Sequence, residues 1–346
     1  MSAWQGIRHR GVQTAIAASV LFGVATPLAK LLLGTVSPWL LAALLYLGSG
    51  VGLSVYRVAR RAPRVRMARS DIPWFAAAIL AGGVIGPVLL MVGLTGLPAS
   101  GASLLMNAEG VLTALLAWVV FHENVDRRVG LGMAAILAGA IVLSWPGSVD
   151  VGQLWPTVAV LAACLAWAID NNLTRKVSLT DATWLAAVKG LTAGTVNLVI
   201  ALLLGATWPS PFATSAAGLL GFLSYGVSLA LFVVALRQLG TARAGAYFSL
   251  APFIGAVLAV LLGDPITPQL AVAGLLMAIG VWLHLSERHE HEHTHTPVEH
   301  THPVDADAHH DAVQWTTHDA SPTHQHAPIT HSHPHYPDAH HRHRHT

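Results

Sequence analysis

Glu109 stands in Ala108-Glu109-Gly110, near the middle of an apolar run over 98–121. A carboxylate at that depth of a bilayer costs about 2.5–3.5 kcal/mol, so it is rarely kept without a partner or a task. Ser103, Asn107 and Gly110 recur beside it at spacings of three and four, which on one continuous helix makes a small polar face. A carboxyl desolvated there can exchange protons near neutral pH. The bland alternative is a structural carboxylate paired with Lys189 or bonded to neighbouring Ser and Asn.

Asp170, Asn171 and Asn172 end another apolar run, and Lys189 and Asn197 lie two turns apart within the next. Glu109, Asn107, Asp170, Asn171, Asn172, Lys189 and Asn197 are thus the candidates for a substrate or coupling-ion site. Against them stands a reading in which Asp170 is wet and Lys189 and Lys30 snorkel to the surface. Pro27, Pro87 and Pro252 sit inside apolar runs and cannot bond to Gly23, Gly83 and Phe248, so each frees a carbonyl that either binds solute or is healed by neighbours. Arg243 and Tyr247 read as interface anchors.

The C-terminal tail carries different chemistry. His289, His291, His293, His295, His300, His302, His324, His326, His331, His333, His335, His341, His343 and His345 stand largely in His-X-His steps with Glu and Asp among them. Residues i and i+2 lie about 200° apart on a helix but on one side of an extended chain, which favours extended chelation. Neutral imidazole suits Zn, Ni, Co and Cu ions. No cofactor is otherwise required. The one cysteine, Cys164, excludes an intramolecular disulfide and lies in an apolar run where a small core residue is the expected reading. No nucleophile-base spacing, phosphate loop or dinucleotide fingerprint is present, so an enzyme is not expected.

The elements that position these groups follow from composition. Of 346 residues 53% are apolar and 10% are Asp, Glu, Lys or Arg, against about 25% charged in a soluble domain. A bilayer-spanning helix needs about 20 apolar residues. Ten runs qualify, at 12–33, 38–56, 73–93, 98–121, 129–145, 154–171, 183–204, 212–236, 242–262 and 268–285, numbered here as spans one to ten. The expected fold is therefore an all-α integral membrane protein with a short N-terminus (1–11), five spans (12–145), a linker (146–153) and five more spans (154–285). A disordered His-rich tail (286–346) follows, since it has almost no Leu, Ile or Phe with which to pack. The chain shows no cleavable signal peptide.

Lys and Arg set the orientation. With a cytoplasmic N-terminus, the loops after even-numbered spans and both termini hold Arg8, Arg10, the six arginines between 57 and 69, Arg127, Arg128, Arg175, Lys176, Arg237, Arg243 and Arg288, apart from those within spans. The opposite loops hold none. A multi-pass protein of the inner, cytoplasmic membrane with both termini in the cytoplasm is expected. Its partners are the lipid bilayer, a small-molecule substrate and transition-metal ions, with no nucleic acid. The pairs Gly48/Gly52, Gly82/Gly86 and Gly190/Gly194 read as internal helix contacts ahead of a homodimer face.

The two halves resemble each other. Ala99–Gly139 aligns with Ala242–Gly280, pairing the turn Phe121-His122-Glu123-Asn124-Val125 with Leu262-Gly263-Asp264-Pro265-Ile266. Five spans per half would place the halves upside down relative to each other, as in many secondary transporters. The small-residue start Ala99-Ser100-Gly101-Ala102-Ser103, the acidic turn and the Gly-rich closing span resemble the EamA domain of the drug/metabolite transporter superfamily. The run Trp167 to Lys176 and the His-rich tail are similar to a bacterial subgroup. That resemblance implies ten helices in two inverted five-helix bundles and movement of small solutes. The proline often found in the fourth span is missing, with Glu109 in its place, whereas Pro252 keeps it in the second half.

The expected function is a secondary active exporter of a small solute with a metal-binding cytoplasmic tail. Two alternatives stay open: export of Zn, Ni or Co itself, which the scarcity of His and Asp in the spans disfavours, and a membrane-tethered metal store or pH sensor.

Overall fold

The computed structural model describes residues 10–121, 127–144, 151–177, 180–235 and 247–285, and the backbone of 290–295, 299–301, 313–315, 323–326 and 329–334. The chain forms two compact units, Met1–Glu287 and Arg288–Thr346.

In the first unit seven described helices are long and apolar enough to cross a membrane: 10–32, 38–59, 72–96, 99–120, 154–174, 182–203 and 211–235. Three shorter apolar helices, 130–144, 251–261 and 268–283, bring the count to ten. The helices of spans five and ten run over Arg127–Ser144 and Pro268–Leu285, close to the expected bounds, whereas the described helix of span nine, Ala251–Leu261, is shorter than the sequence suggests. In span nine the cause is local. Pro252 has no N–H to continue a helix from upstream, so a helix starts afresh at Ala251 after a turn at Ser249–Leu250. Residues 236–246, which include Arg243, lie outside the described residues, as do His122 and Glu123.

Large apolar side chains occur on both surfaces of this unit. Leu40, Leu45, Leu90, Met91 and Leu94 are fully buried, while Phe212 is 83% and Leu203 81% exposed. Outward-facing side chains of that kind suit hydrocarbon, not water. Inside, small residues bring backbones together. A Cβ on Gly190 would stand 2.6 Å from the Gly50 nitrogen, so spans two and seven cross in direct backbone contact. Gly48 and Gly52 meet span eight, and Gly82 and Gly86 meet span six. All three small-residue pairs are thus used within this chain.

Departures from the α-helix recur at matching places in the two halves. Span three carries a π-helical stretch at Ile79–Ile85 and span eight carries one at Phe222–Val227. Span four breaks at Met106–Asn107 and span nine at Ser249–Leu250. The hydrogen bonds match as well, with Asn107 N–H donating to Leu104 O at 3.0 Å and Leu250 N–H to Tyr247 O at 3.2 Å. This corrects the expected continuous face of Ser103, Asn107 and Gly110, because the break turns the helix between the first two. Span one also bends, at Gly23–Val24 ahead of Pro27.

Some helix starts are capped by side chains. Asp181 accepts from the Trp184 amide at 2.9 Å, Ser210 from the Ala213 amide at 3.2 Å, and Asp264 from the Ser100 amide at 2.8 Å. The last of these fixes the start of span four by a carboxylate from the second half.

Within the tail, expected to be disordered, the described residues are short paired segments. The described backbone of 290–295 pairs antiparallel with 329–334, and that of 323–326 with both 299–301 and 313–315. His-X-His alternation has the period of a strand, and a ladder needs only backbone groups to form.

Candidate functional site

Span three generates the core of the site through its own irregularity. Pro87 cannot donate to Gly83 O, and the π-helical stretch before it displaces further backbone partners. Side chains from three other spans supply the missing donors. Asn197 Nδ2 of span seven reaches Gly83 O at 3.2 Å. Tyr46 OH of span two and Trp167 Nε1 of span six both donate to Gly82 O, at 2.7 and 2.9 Å. The freed carbonyls of span three are thus healed by neighbours, and they tie four helices together.

Asp170 sits against Gly82, where no Cβ would fit. It is 5% exposed and pairs with Lys189 of span seven, while its second oxygen accepts from Thr174 at 3.0 Å. The picture of a wet Asp170 and a snorkelling Lys189 is therefore overturned. Two charges this deep persist because each satisfies the other. Lys30, by contrast, donates to Leu94 O and Thr95 O at the end of span three, where carbonyls lack helical donors.

Glu109 opens the helix that follows the break in span four, in the half-helix Ala108–Phe121. Its amide donates to Met106 O at 3.1 Å. Its Oε1 accepts from Asn171 Nδ2 of span six at 2.9 Å, and Asn171 also reaches Thr113 at 3.4 Å. Asn172 turns the other way and donates to Ala168 O at 2.9 Å and Thr113 O at 3.3 Å. Asn107 closes the broken end of the preceding half-helix, donating to Leu104 O at 2.9 Å. The structure thus brings Glu109, Asp170, Asn171, Lys189 and Asn197 around spans three, four, six and seven. Asn107 and Asn172 serve mainly the backbone.

The sequence reading missed the aromatic members of this region. Tyr46, Tyr225, Phe22, Phe248 and Phe232 form a row with successive centroid separations of 5.5, 5.7, 5.2 and 4.5 Å. Three buried polar atoms near it, Ser103 Oγ, Ser224 Oγ and Asn197 Oδ1, have no hydrogen-bond partner. A small cavity bounded by Gly23, Ser103, Met106 and Ala251 lies where spans one, four and nine meet.

At another end of the bundle Arg57 of span two donates to Asp181 at 2.7 Å and to Thr183 at 2.6 Å, joining spans two and seven. Partial burial alone would raise the Asp181 carboxyl. Hydrogen bonds from Thr183, the Trp184 amide and Arg57, with the Arg57 charge, outweigh it and hold the group at about 2.

Among the residues with described side chains, no cluster of His, Cys, Asp and Glu could hold a metal ion. Of the candidate tail ligands, His289, His302, His335, His341, His343 and His345 lie outside the described residues. In the paired strands His291 stands opposite His333, His293 opposite His331, and His300 opposite His324.

Comparisons with known proteins agree with this architecture. An uncharacterized transporter of Methanothermobacter thermautotrophicus is 29% identical over 294 residues, covering 79% of this chain and 85% of that protein. A protein of Streptantibioticus cattleyicolor described as a probable terminal-alkyne amino-acid exporter is 29% identical over 227 residues, covering 64% of this chain and 75% of its own length. A solved crystal structure superposes with a TM-score of 0.62 at 19% identity, covering 78% of this chain and 95% of that one, and so shares the fold. The family model for EamA-like transporters matches twice, at residues 9–145 and 154–286, and with both halves matched the chain belongs to the EamA-like transporter family as a multi-pass membrane transporter.

Proposed function

We propose that this transporter is a secondary active exporter of a small solute, coupled through Glu109. The observation that carries the reading is that Glu109 lies at a helix break with an amide for its partner, while the neighbouring Asp170 already holds Lys189. A carboxylate left without a cation in a bilayer is a proton or cation carrier waiting for its load. Breaks and π-helical stretches at matching places in both halves supply elements that can rearrange in turn. The similar Streptantibioticus protein, named as a probable exporter, supports the outward direction. The Lys and Arg distribution supports a cytoplasmic-membrane protein with both termini in the cytoplasm.

The tail is proposed to bind Zn, Ni, Co or Cu ions on the cytoplasmic side, with no part in the path through the membrane. The absence of a metal-ligand cluster among the described side chains favours an organic solute over a metal as cargo.

Flux in sealed proteoliposomes tests the function. Solutes loaded on one side should drive proton movement in the wild type and not in Glu109→Gln. Equal proton-coupled flux in both would end the coupling role.

A further inference from the structure

We propose that the loop between spans two and three holds the phosphate headgroup of an anionic phospholipid on a strip of guanidinium groups, those of Arg60, Arg61, Arg64, Arg66 and Arg69. The partner is the lipid around the protein, and none of the residues assigned to the solute path takes part.

The charges of this segment are unevenly matched. Six arginines stand between 57 and 69, and one carboxylate, Asp71, follows them. Arg57 is engaged: it donates to Asp181 and Thr183 of span seven, and its second terminal nitrogen donates to Pro63 O at 3.0 Å, which ties the loop to the end of span two. Asp71 accepts from Ser70 at 3.2 Å. The other five arginines are exposed, and among the described residues none of them pairs with a carboxylate. Asp71 offsets one charge at most, so the strip stays strongly positive.

The backbone holds that charge in place. Span two ends in a Schellman turn, with Ala62 N–H donating to Arg57 O at 2.9 Å, Arg61 N–H to Val58 O at 3.0 Å, and Arg61 at φ 48°. Glycine is usual at that position, because a Cβ is strained there. An arginine that persists in a strained conformation points to a use outside the fold. From Arg64 to Met67 exposure alternates: Arg64 and Arg66 are exposed, Val65 and Met67 are half-buried, and Met67 packs against the apolar core. Alternate residues of an extended chain face opposite ways, so Val65 and Met67 pin the strip down while the two guanidinium groups stand on its other side, about 6.6 Å apart along the chain.

The flanks set the depth. Val58, two residues before Arg60, is 78% exposed, and Ile72, three residues after Arg69, is exposed as well. Outward apolar side chains of that kind meet hydrocarbon, so the arginines between them stand in the adjoining layer, where the lipid phosphates are. Trp74 also faces out, with Lys176 Nζ 4.5 Å from the centre of its ring, a pairing suited to the boundary between membrane and water. A guanidinium fork meets phosphate through two parallel N–H bonds. On the orientation proposed above, this end of the bundle meets the cytoplasmic leaflet, whose anionic lipids attract basic segments. A loop that only fixed topology would need the charge and not the order, and this loop has both.

The test uses purified full-length protein reconstituted in phosphatidylcholine, with spin-labelled phosphatidylglycerol or spin-labelled phosphatidylcholine as the probe. Its outcome depends neither on the direction of insertion nor on transport. Labelled phosphatidylglycerol should associate about fivefold or more above labelled phosphatidylcholine at low salt, since a single arginine near an anionic surface is worth about that factor. Replacing Arg64 and Arg66 together by Gln should bring the preference down by about fivefold or more. Replacing both by Lys keeps the charge and loses the forks, and should lower the preference by about twofold or more. Full retention in the Lys form would leave a diffuse field and overturn the headgroup site. Arg61→Gly should melt at or above the wild-type temperature, because glycine relieves the strained φ, and should still hold phosphatidylglycerol more weakly. Undiminished binding in Arg61→Gly would overturn the place of Arg61 in the strip. Folded wild type with no preference for phosphatidylglycerol overturns the proposal. So does its release by inorganic phosphate at constant ionic strength, which would identify a soluble phosphate as the occupant. Loss of the lipid preference leaves the transporter reading standing, and loss of flux leaves this one.

Discussion

Lys189 gives its ammonium to Asp170 and not to Glu109, so two carboxylates in one polar core have unlike roles. Asp170 is closed in on three sides, by Lys189, by Thr174 and by the Cα of Gly82. Among the described residues the Glu109 carboxylate has the amide of Asn171 for its partner, and it stands beside a helix break. The first is built to stay and the second to change partners.

Glu109→Gln should leave a folded, membrane-inserted protein that no longer couples proton movement to solute. The amide is isosteric and can still meet Asn171, whereas it cannot take or release a proton. Proton uptake by reconstituted protein, read with a pH-sensitive dye, checks this. A structural role would instead show as lost yield with turnover per folded molecule intact.

Asp170→Asn and Lys189→Met should each destabilise strongly, by about 3–5 kcal/mol, because each leaves the other member charged and buried. The double variant should recover much of that loss. Thermal unfolding of the detergent-purified proteins decides it. A single substitution that melts like wild type would mean that the pair is open to water and holds nothing together.

Much of this core is legible in the sequence, and what is missing has definite causes. Glu109, Asp170, Lys189 and Asn197 are visible because polar groups at membrane depth are costly and few. Their pairing is not visible, since Glu109 and Asp170 are equally good candidates for Lys189 until Gly82 is seen to make room for only one of them. Tyr46 and Trp167 go unnoticed because an aromatic residue in an apolar run looks like core. The signal that could have found them is the carbonyl freed near Pro87, which demands a donor from elsewhere. The Ser103–Asn107–Gly110 face failed for a related reason: no proline marks the break in span four, and only the comparison with Pro252 points to it. In the described segments of the tail a second pattern is present. The tail's lack of apolar residues rules out a conventional core, yet His-X-His alternation is itself a strand pattern.

The Arg57–Asp181 contact should make stability depend on acid pH. The folded carboxyl is held at about 2 against an ordinary 3.8, so its contribution is complete above 3.8 and is lost as pH falls from there through 2. Unfolding midpoints measured between pH 5 and pH 2 should fall, and Asp181→Asn should flatten that part of the curve. Asp181→Ala should also cost about 1 kcal/mol at neutral pH through the lost cap on the Trp184 amide. A midpoint for Asp181→Asn that falls with acid as steeply as that of wild type would show that Arg57 and Thr183 contribute nothing there.

Deleting residues 289–346 should remove high-capacity binding of Zn or Ni ions and leave the membrane unit folded. The tail forms its own compact unit, separate from Met1–Glu287, so its loss takes no helix from the bundle. Imidazole binds metal only when deprotonated, and a histidine of ordinary pKa near 6.5 loses that form between about pH 7.5 and pH 5.5. Affinity of the full-length protein for Zn should therefore fall across that interval, while the truncated form shows no such binding at either end. The paired strands make a finer comparison available. His291 and His293 stand opposite His333 and His331, so replacing those four by Gln should cost more affinity than replacing four histidines that are not in register. Equal losses from both sets would mean that the tail chelates as a loose chain, and full-length protein that binds no metal at pH 7.5 would remove the metal role altogether.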